Sequence, residues 1–71
     1  MASNTELVFT VEEADEGGYV ATAVGEGIVT EADGLDALRA AVRDAVACHF
    51  DESDRPRAIR LHFVRDEVIA A

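Results

Sequence analysis

The sequence lacks the residues that usually stabilise a small domain covalently. Its 71 residues include one cysteine, Cys48, so no disulfide can form within the chain. No cysteines and histidines cluster with the spacing of a structural metal site. A domain of this length buries only about 60% of the surface that its unfolded chain exposes, so its core is marginal. Because assembly is the remaining way to stabilise such a domain, we expect a homodimer or a higher homo-oligomer.

Lysine is absent, and the six basic residues are all arginine. With 15 acidic residues, the formal net charge at pH 7 is −9. An anionic surface is repelled by phosphates, so we expect neither direct binding of nucleic acid nor attraction to anionic membranes. Solubility alone explains this charge; alternatively, the acidic side chains face a basic partner.

Long apolar runs are also missing. No stretch approaches the roughly 20 apolar residues that a membrane-spanning helix needs, and the first residues do not resemble a secretory signal. We therefore expect a cytoplasmic protein, where a single thiol stays reduced. Without linkers or repeats, residues 1–71 form one predicted domain, with loose ends at 1–5 and 66–71.

The residues that are present predict an α+β fold with the element order β-β-β-α-β. Alternating β-branched and aromatic residues indicate strands, glycine pairs indicate tight turns, and an alanine-rich segment with apolar residues at helical spacing indicates a helix. Asp33 is the predicted helix N-cap. The predicted elements are strands at Glu6–Glu13, Tyr19–Val24 and Ile28–Glu31, a helix from Leu35 to about Phe50, and a strand at Ala58–Val64.

Short turns make the first three strands antiparallel, and a right-handed crossover places the fourth strand parallel to the first. The expected sheet order is therefore 3-2-1-4, with one helix covering one face. The covered face should carry Leu7, Phe9, Val11, Leu61 and Phe63.

The uncovered face is predicted to be a contact surface, because an open and partly apolar sheet face is suited to a partner. Its residues are Val8, Thr10, Arg60, His62 and Val64. Arg60 is able to bind a carboxylate through two hydrogen bonds, which favours a role in recognition. The alternative is that Arg60 and His62 are half-exposed strand residues that balance neighbouring acids.

Three other groups suggest chemistry but have simpler interpretations. Adjacent helix positions do not face each other, so we interpret Cys48 as a small packed residue and His49 as favourable charge at the helix C-terminus. The acidic loop at 51–54 lacks the length and the central glycine of a calcium-binding loop. The glycines at 17–18 and 25–27 lie between antiparallel strands rather than before a helix, so they form turns and not a phosphate site.

Several of these segments together resemble the HicB-like antitoxin family. They are FTVEEAD at Phe9–Asp15, EGGYVA at Glu16–Ala21, a short strand ending in Thr30, and DGLDALRAAVRDAV at Asp33–Val46. The resemblance covers about residues 6–65 and implies a trimmed RNase H-like fold with the same element order. Fuller members of that family neutralise a small RNA-cleaving toxin and repress their own operon through an added DNA-binding domain.

The chain carries no such DNA-binding segment, so we do not expect repression. RNase H chemistry needs carboxylates at the centres of the first and fourth strands to hold two metal ions, and LVFTV and IRLHF contain none. We therefore predict a non-catalytic protein-binding module without metal or cofactor. Its expected partners are further copies of itself and a small basic toxin. The alternative is a stand-alone homo-oligomeric structural or regulatory protein without a toxin; a ligand-binding or enzymatic role at a dimer interface ranks last.

Overall fold

A computed structural model describes residues 6–71 and shows a four-stranded mixed sheet with one helix. The elements are β1 (Glu6–Glu13), β2 (Tyr19–Ala23), β3 (Val29–Ala32), α1 (Leu35–His49) and β4 (Ala58–Val64). The strands lie in the order β3-β2-β1-β4, with β1 antiparallel to β2 and parallel to β4. This confirms the predicted fold and strand order.

The predicted bounds of β1 and β4 are also confirmed, whereas those of β2 and β3 differ by one residue. β2 ends at Ala23, and β3 runs from Val29 to Ala32 instead of Ile28–Glu31. Two of the three differing bounds lie at the glycine-containing turn between the two strands, where the alternating pattern gives no sharp boundary, and the third is the end of β3. The loose end predicted at residues 1–5 lies outside the described residues.

The turn between β1 and β2 requires glycine for two reasons. Gly17 and Gly18 have φ angles of 98° and 84°, a conformation that other residues rarely adopt. In addition, a Cβ atom on Gly18 would lie 2.8 Å from the carbonyl oxygen of Ala32. The turn therefore packs directly against the end of β3, just before α1 begins.

The helix begins without the predicted side-chain cap. Gly34 occupies the N-cap position, and no side-chain hydrogen bond closes this end of α1. The Gly34 carbonyl accepts a hydrogen bond from the backbone N–H of Leu38 at 2.9 Å. The prediction that Asp33 is the N-cap is wrong because the chain enters the helix one residue later, at a glycine that carries no side-chain acceptor.

The core lies between one face of α1 and one face of the sheet. On the helix, Leu38, Val42 and Val46 recur every four residues and form a single buried stripe. On the sheet, Phe9 and Val11 of β1 are almost completely buried. Small residues complete the core above β2, and the full buried set is Phe9, Val11, Ala21, Ala23, Ile28, Leu38, Val42 and Val46.

The helix lies mainly over β2 and β3, which leaves β4 partly uncovered. Ile59 and Leu61 of β4 pack at the margin of the core. Phe63 is on the same face, yet its exposed fraction is 49%. The prediction that Phe63 is covered is therefore wrong: strand alternation assigns its face correctly, but β4 is the edge strand farthest from the helix contacts.

Residues outside α1 make two contacts with the C-terminal end of the helix. The Arg55 guanidinium donates a hydrogen bond to the Ala47 carbonyl at 3.2 Å, which satisfies one of the last carbonyls of the helix. His49 lies 3.5 Å from the carboxylate of Glu26 in the β2–β3 turn.

Cys48 is exposed, so its interpretation as a packed residue is wrong. It follows Val46 by two positions and therefore lies on the opposite side of the helix from the buried stripe.

Candidate protein-binding surface

The sheet face directed away from α1 is the candidate functional surface, and we call it the open face. Strand alternation and register define its members. They are Val8, Thr10, Glu12, Val20, Thr22, Val24, Val29, Glu31, Arg60, His62 and Val64, with Glu6 and Ala58 at one end.

Register aligns these side chains into rows that cross all four strands. In the central row, Thr10 lies between Thr22 of β2 and His62 of β4, and Thr22 in turn pairs with Val29 of β3. This row therefore carries two hydroxyl groups flanked by a valine and a histidine. Three of its four side chains, those of Thr10, Thr22 and Val29, are short, so no long side chain rises from the three strands β1, β2 and β3 in this row.

A second row is acidic. Val20 of β2 lies between Glu31 of β3 and Glu12 of β1, and Glu12 in turn pairs with Val64 of β4. Both glutamates are exposed. Negative charge is therefore placed at one end of a surface that is otherwise rich in valine and threonine.

All five residues predicted for the contact surface lie together on the open face. Val8 is beside Arg60, and Thr10 is beside His62, across the parallel β1–β4 pair. Val64 follows at the end of β4, next to Glu12. The predicted set thus forms the half of the open face that β1 and β4 supply.

Arg60 is already paired within the chain. Its Nε donates to Oε1 of Glu6 at 3.0 Å, and its Nη2 donates to Oε2 at 2.9 Å. These hydrogen bonds, aided by charge attraction and opposed by partial desolvation, lower the pKa of Glu6 below its usual value of 4.5. This geometry agrees with the interpretation in which Arg60 balances a neighbouring acid, and a contact between Arg60 and a partner stays a prediction.

The half of the open face that β2 and β3 supply was not predicted from the sequence. Val24 and Val29 are 60% and 63% exposed, and they add apolar surface next to Thr22. The signal was present, because alternation along YVATAV separates Val20, Thr22 and Val24 from the residues that face the helix. The open face is consequently more apolar than the five predicted residues suggest.

The centre of the open face, as the structure describes it, carries hydroxyl and imidazole groups. Thr10 and His62, paired at the centres of β1 and β4, supply no carboxylate. Within residues 6–71, no three histidine, cysteine, aspartate or glutamate side chains are grouped to hold a metal ion. Over the same range, no helix has the length and apolar character needed to cross a membrane.

Two relatives place the chain among known proteins. A UPF0150 protein of Archaeoglobus fulgidus is 49% identical over 51 residues, which are 72% of this chain and 76% of the relative. A UPF0150 protein of Thermotoga maritima is 37% identical over 70 residues, which are 99% of each chain. No family model matches the chain. No solved structure gives a significant match.

Proposed function

The chain belongs to the UPF0150 protein family, and we propose that it is a non-catalytic binding module whose open face holds a small basic protein. The resemblance to HicB-like antitoxins supports a toxin of the RNA-cleaving kind as that protein. The single observation that carries the proposal is the open face itself, which α1 leaves without a covering layer.

The composition of the open face suits a protein partner. Val8, Val20 and Val29 expose or half-expose apolar surface on one face of the sheet. Contiguous exposed apolar surface on a soluble chain is typical of interaction sites. Valine and threonine have few accessible rotamers, so holding them against a partner costs little conformational entropy.

The net charge of −9 supports a basic partner. A protein that cleaves RNA must present cationic side chains to the phosphate backbone. An acidic module attracts that surface at long range and covers it once bound. Such complementarity accelerates association more than it strengthens the final complex, so the encounter rate should fall steeply with salt.

The test first asks whether a small basic protein is encoded next to this chain, and the absence of such a protein would count against the proposal. Where one is encoded, it serves as the probe. Binding is measured by calorimetry, and RNA cleavage by the probe is measured with and without this chain. Thr22→Arg places a long cation in the centre of the open face, at an exposed position, and should weaken binding by at least tenfold. Ala40→Arg adds the same charge at an exposed position of α1 and should leave binding unchanged. The proposal fails if the probe does not bind, or if both variants weaken binding equally.

A stand-alone homo-oligomer is the second candidate. The observation that favours it is that the valines and threonines of the open face can pack against the same face of another copy, as two sheets do in a sandwich. In that case the purified chain self-associates without any partner, and Thr22→Arg dissociates it. A toxin-binding module predicts instead that Thr22→Arg leaves self-association unchanged and abolishes only the binding of the basic probe.

A further inference from the structure

The outer edge of β4 is an unpaired strand edge at the end of the sheet. β4 pairs with β1 on one side only, and it is the last strand in the order β3-β2-β1-β4. Such an edge offers a row of backbone donors and acceptors to another strand. Five of its seven residues are exposed, among them Phe63 and Val64.

A groove runs beside this edge on the helix side. Val42, Ile59 and Leu61 form its apolar floor, and Arg39 and Arg43 flank it. Its volume is about 230 Å³, whereas a cavity of roughly 150 Å³ holds a benzene molecule. Arg39 is engaged by Asp36 at 2.9 Å, while Arg43 makes no ion pair with any residue of 6–71. The groove therefore offers room for an aliphatic side chain next to one available guanidinium.

The segment that follows β4 carries acidic and apolar residues, which complement the arginines and the apolar floor of the groove. Residues 65–71 continue beyond the sheet without regular secondary structure, and Val68 and Ile69 are 94% and 76% exposed. Asp66 and Glu67 come immediately before them. An acidic and then apolar extension thus projects from a molecule that has an apolar groove flanked by arginines.

We propose that two copies of this chain associate by pairing β4 and residues 65–69 of one copy, antiparallel, with the same segment of the other. Glu67 then faces Arg43 of the second copy, and Ile69 enters its groove against Ile59. The occupant of the groove is therefore a second copy, chosen because its charge and its apolar residues match.

Strand alternation restricts the register of this pairing. Odd-numbered residues of β4 face the helix, so residues 67 and 69 share that face when the strand conformation continues. A shift by one residue would turn Glu67 and Ile69 to the other face. The register that sets Ile69 opposite Ile59 and Glu67 opposite Leu61 places the two Val64 residues opposite each other at the two-fold axis. A further shift by two residues would bring Arg65 against Arg65.

The inference does not rest on the proposed function. The β4 edge and its groove are distinct from the open face, and pairing at the edge leaves that face accessible. If the basic probe fails to bind, the pairing at the β4 edge is unaffected. If the chain fails to pair at this edge, the proposed binding at the open face is unaffected.

Disulfide trapping tests the register. Directly opposed residues of antiparallel strands have Cα atoms about 4.5–5.5 Å apart, which a disulfide can bridge. In a Cys48→Ala background, Val64→Cys should give a covalent dimer in high yield on mild oxidation at micromolar concentration. Val29→Cys, at an exposed valine on the opposite edge strand, is the control and should give no disulfide-linked dimer. Equal yields, or no dimer from Val64→Cys, would overturn the proposed pairing.

Charge reversal tests the contact with the groove. Glu67→Arg and Arg43→Glu should each raise the dimer dissociation constant about tenfold in sedimentation equilibrium, and the double variant should recover most of the loss. Glu52→Arg, at an exposed acid in the loop before β4, is the matched control and should have little effect. Circular dichroism confirms that each variant is folded. A wild-type chain that is monomeric at micromolar concentration, or a dimer insensitive to Glu67→Arg, would rule out the proposal.

Discussion

The Glu6 carboxylate accepts two hydrogen bonds from one guanidinium, and this has a measurable consequence for its titration. The contact with Arg60 lowers the pKa of Glu6 in the folded chain. A carboxyl group with a lowered folded pKa stabilises the fold above its unfolded pKa, and that contribution is lost as the pH falls through the folded pKa. We expect Arg60→Gln to raise the pKa of Glu6 toward 4.5 in an NMR titration of its side-chain carbon. An unchanged pKa in this variant would show that the pair does not form in solution.

Two neighbouring glycines in the β1–β2 turn should respond differently to substitution. Gly17 and Gly18 share positive φ angles, but only at Gly18 would a Cβ atom meet a backbone oxygen, at 2.8 Å. Gly17→Ala should lower the free energy of unfolding by about 1–2 kcal/mol, the usual cost of this backbone conformation. Gly18→Ala should cost clearly more, because β3 or the turn must also move. Urea denaturation measures both, and equal losses would mean that the turn does not pack on Ala32.

At the scale of elements, the uncapped start of α1 leaves room for stabilisation. Gly34 has φ −138° and ψ 168°, which any residue adopts, and nothing lies within 4 Å of an added Cβ atom. Gly34→Ser should therefore supply the missing side-chain hydrogen-bond acceptor. Gly34→Ala is the control, because it reduces the backbone freedom of the unfolded chain to the same extent but adds no acceptor. The serine variant should be more stable than the alanine variant by about 1 kcal/mol. Equal stabilities in thermal denaturation would indicate that the helix start is satisfied by other means.

The elements that sequence analysis predicted well are those with long and regular patterns. Alternation over Glu6–Glu13 and Ala58–Val64 gave both strands with their observed bounds, and helical spacing gave the buried stripe at Leu38, Val42 and Val46. The exposure of Phe63 could not be predicted from such a pattern, which assigns only the face of the strand on which the side chain lies. A helix about 10 Å wide cannot cover four strands spaced about 4.8 Å apart. The packing of the helix on the sheet decides which edge strand stays uncovered, and the residue pattern of a single strand does not reveal it.

For the open face too, some residues could be predicted from the sequence and others could not. Its β1 and β4 residues were predicted because alternation within one strand suffices to assign them. The contribution of Val29 depends on how β3 aligns with β2, and a one-residue difference in β3 reverses its side chains. The pairing of Arg60 with Glu6 joins residues 54 positions apart in the chain. Contacts of this kind follow from the parallel register of β1 and β4, which local patterns do not specify.

At the scale of the whole molecule, the two candidate surfaces are compatible. Antiparallel pairing of two β4 strands in a register that keeps residues 67 and 69 on the helix side also keeps both open faces on one common side. The two sheets then join into one of eight strands, with both helices on the other side. The dimer would thus present a sheet surface twice as wide to a basic partner, while each small core gains burial from Ile69 of the other copy.

Stability that depends on assembly must depend on protein concentration. Dimer formation stabilises only the folded state, so a tenfold increase in concentration should add about 0.7 kcal/mol per chain to the free energy of unfolding. For a domain of this size that corresponds to a rise in Tm of roughly 3–6 °C. We expect calorimetry to show this rise for the wild-type chain, and Glu67→Arg to lower the Tm and to weaken its concentration dependence. A wild-type Tm that stays constant over a hundredfold range of concentration would mean that the marginal core is sufficient by itself.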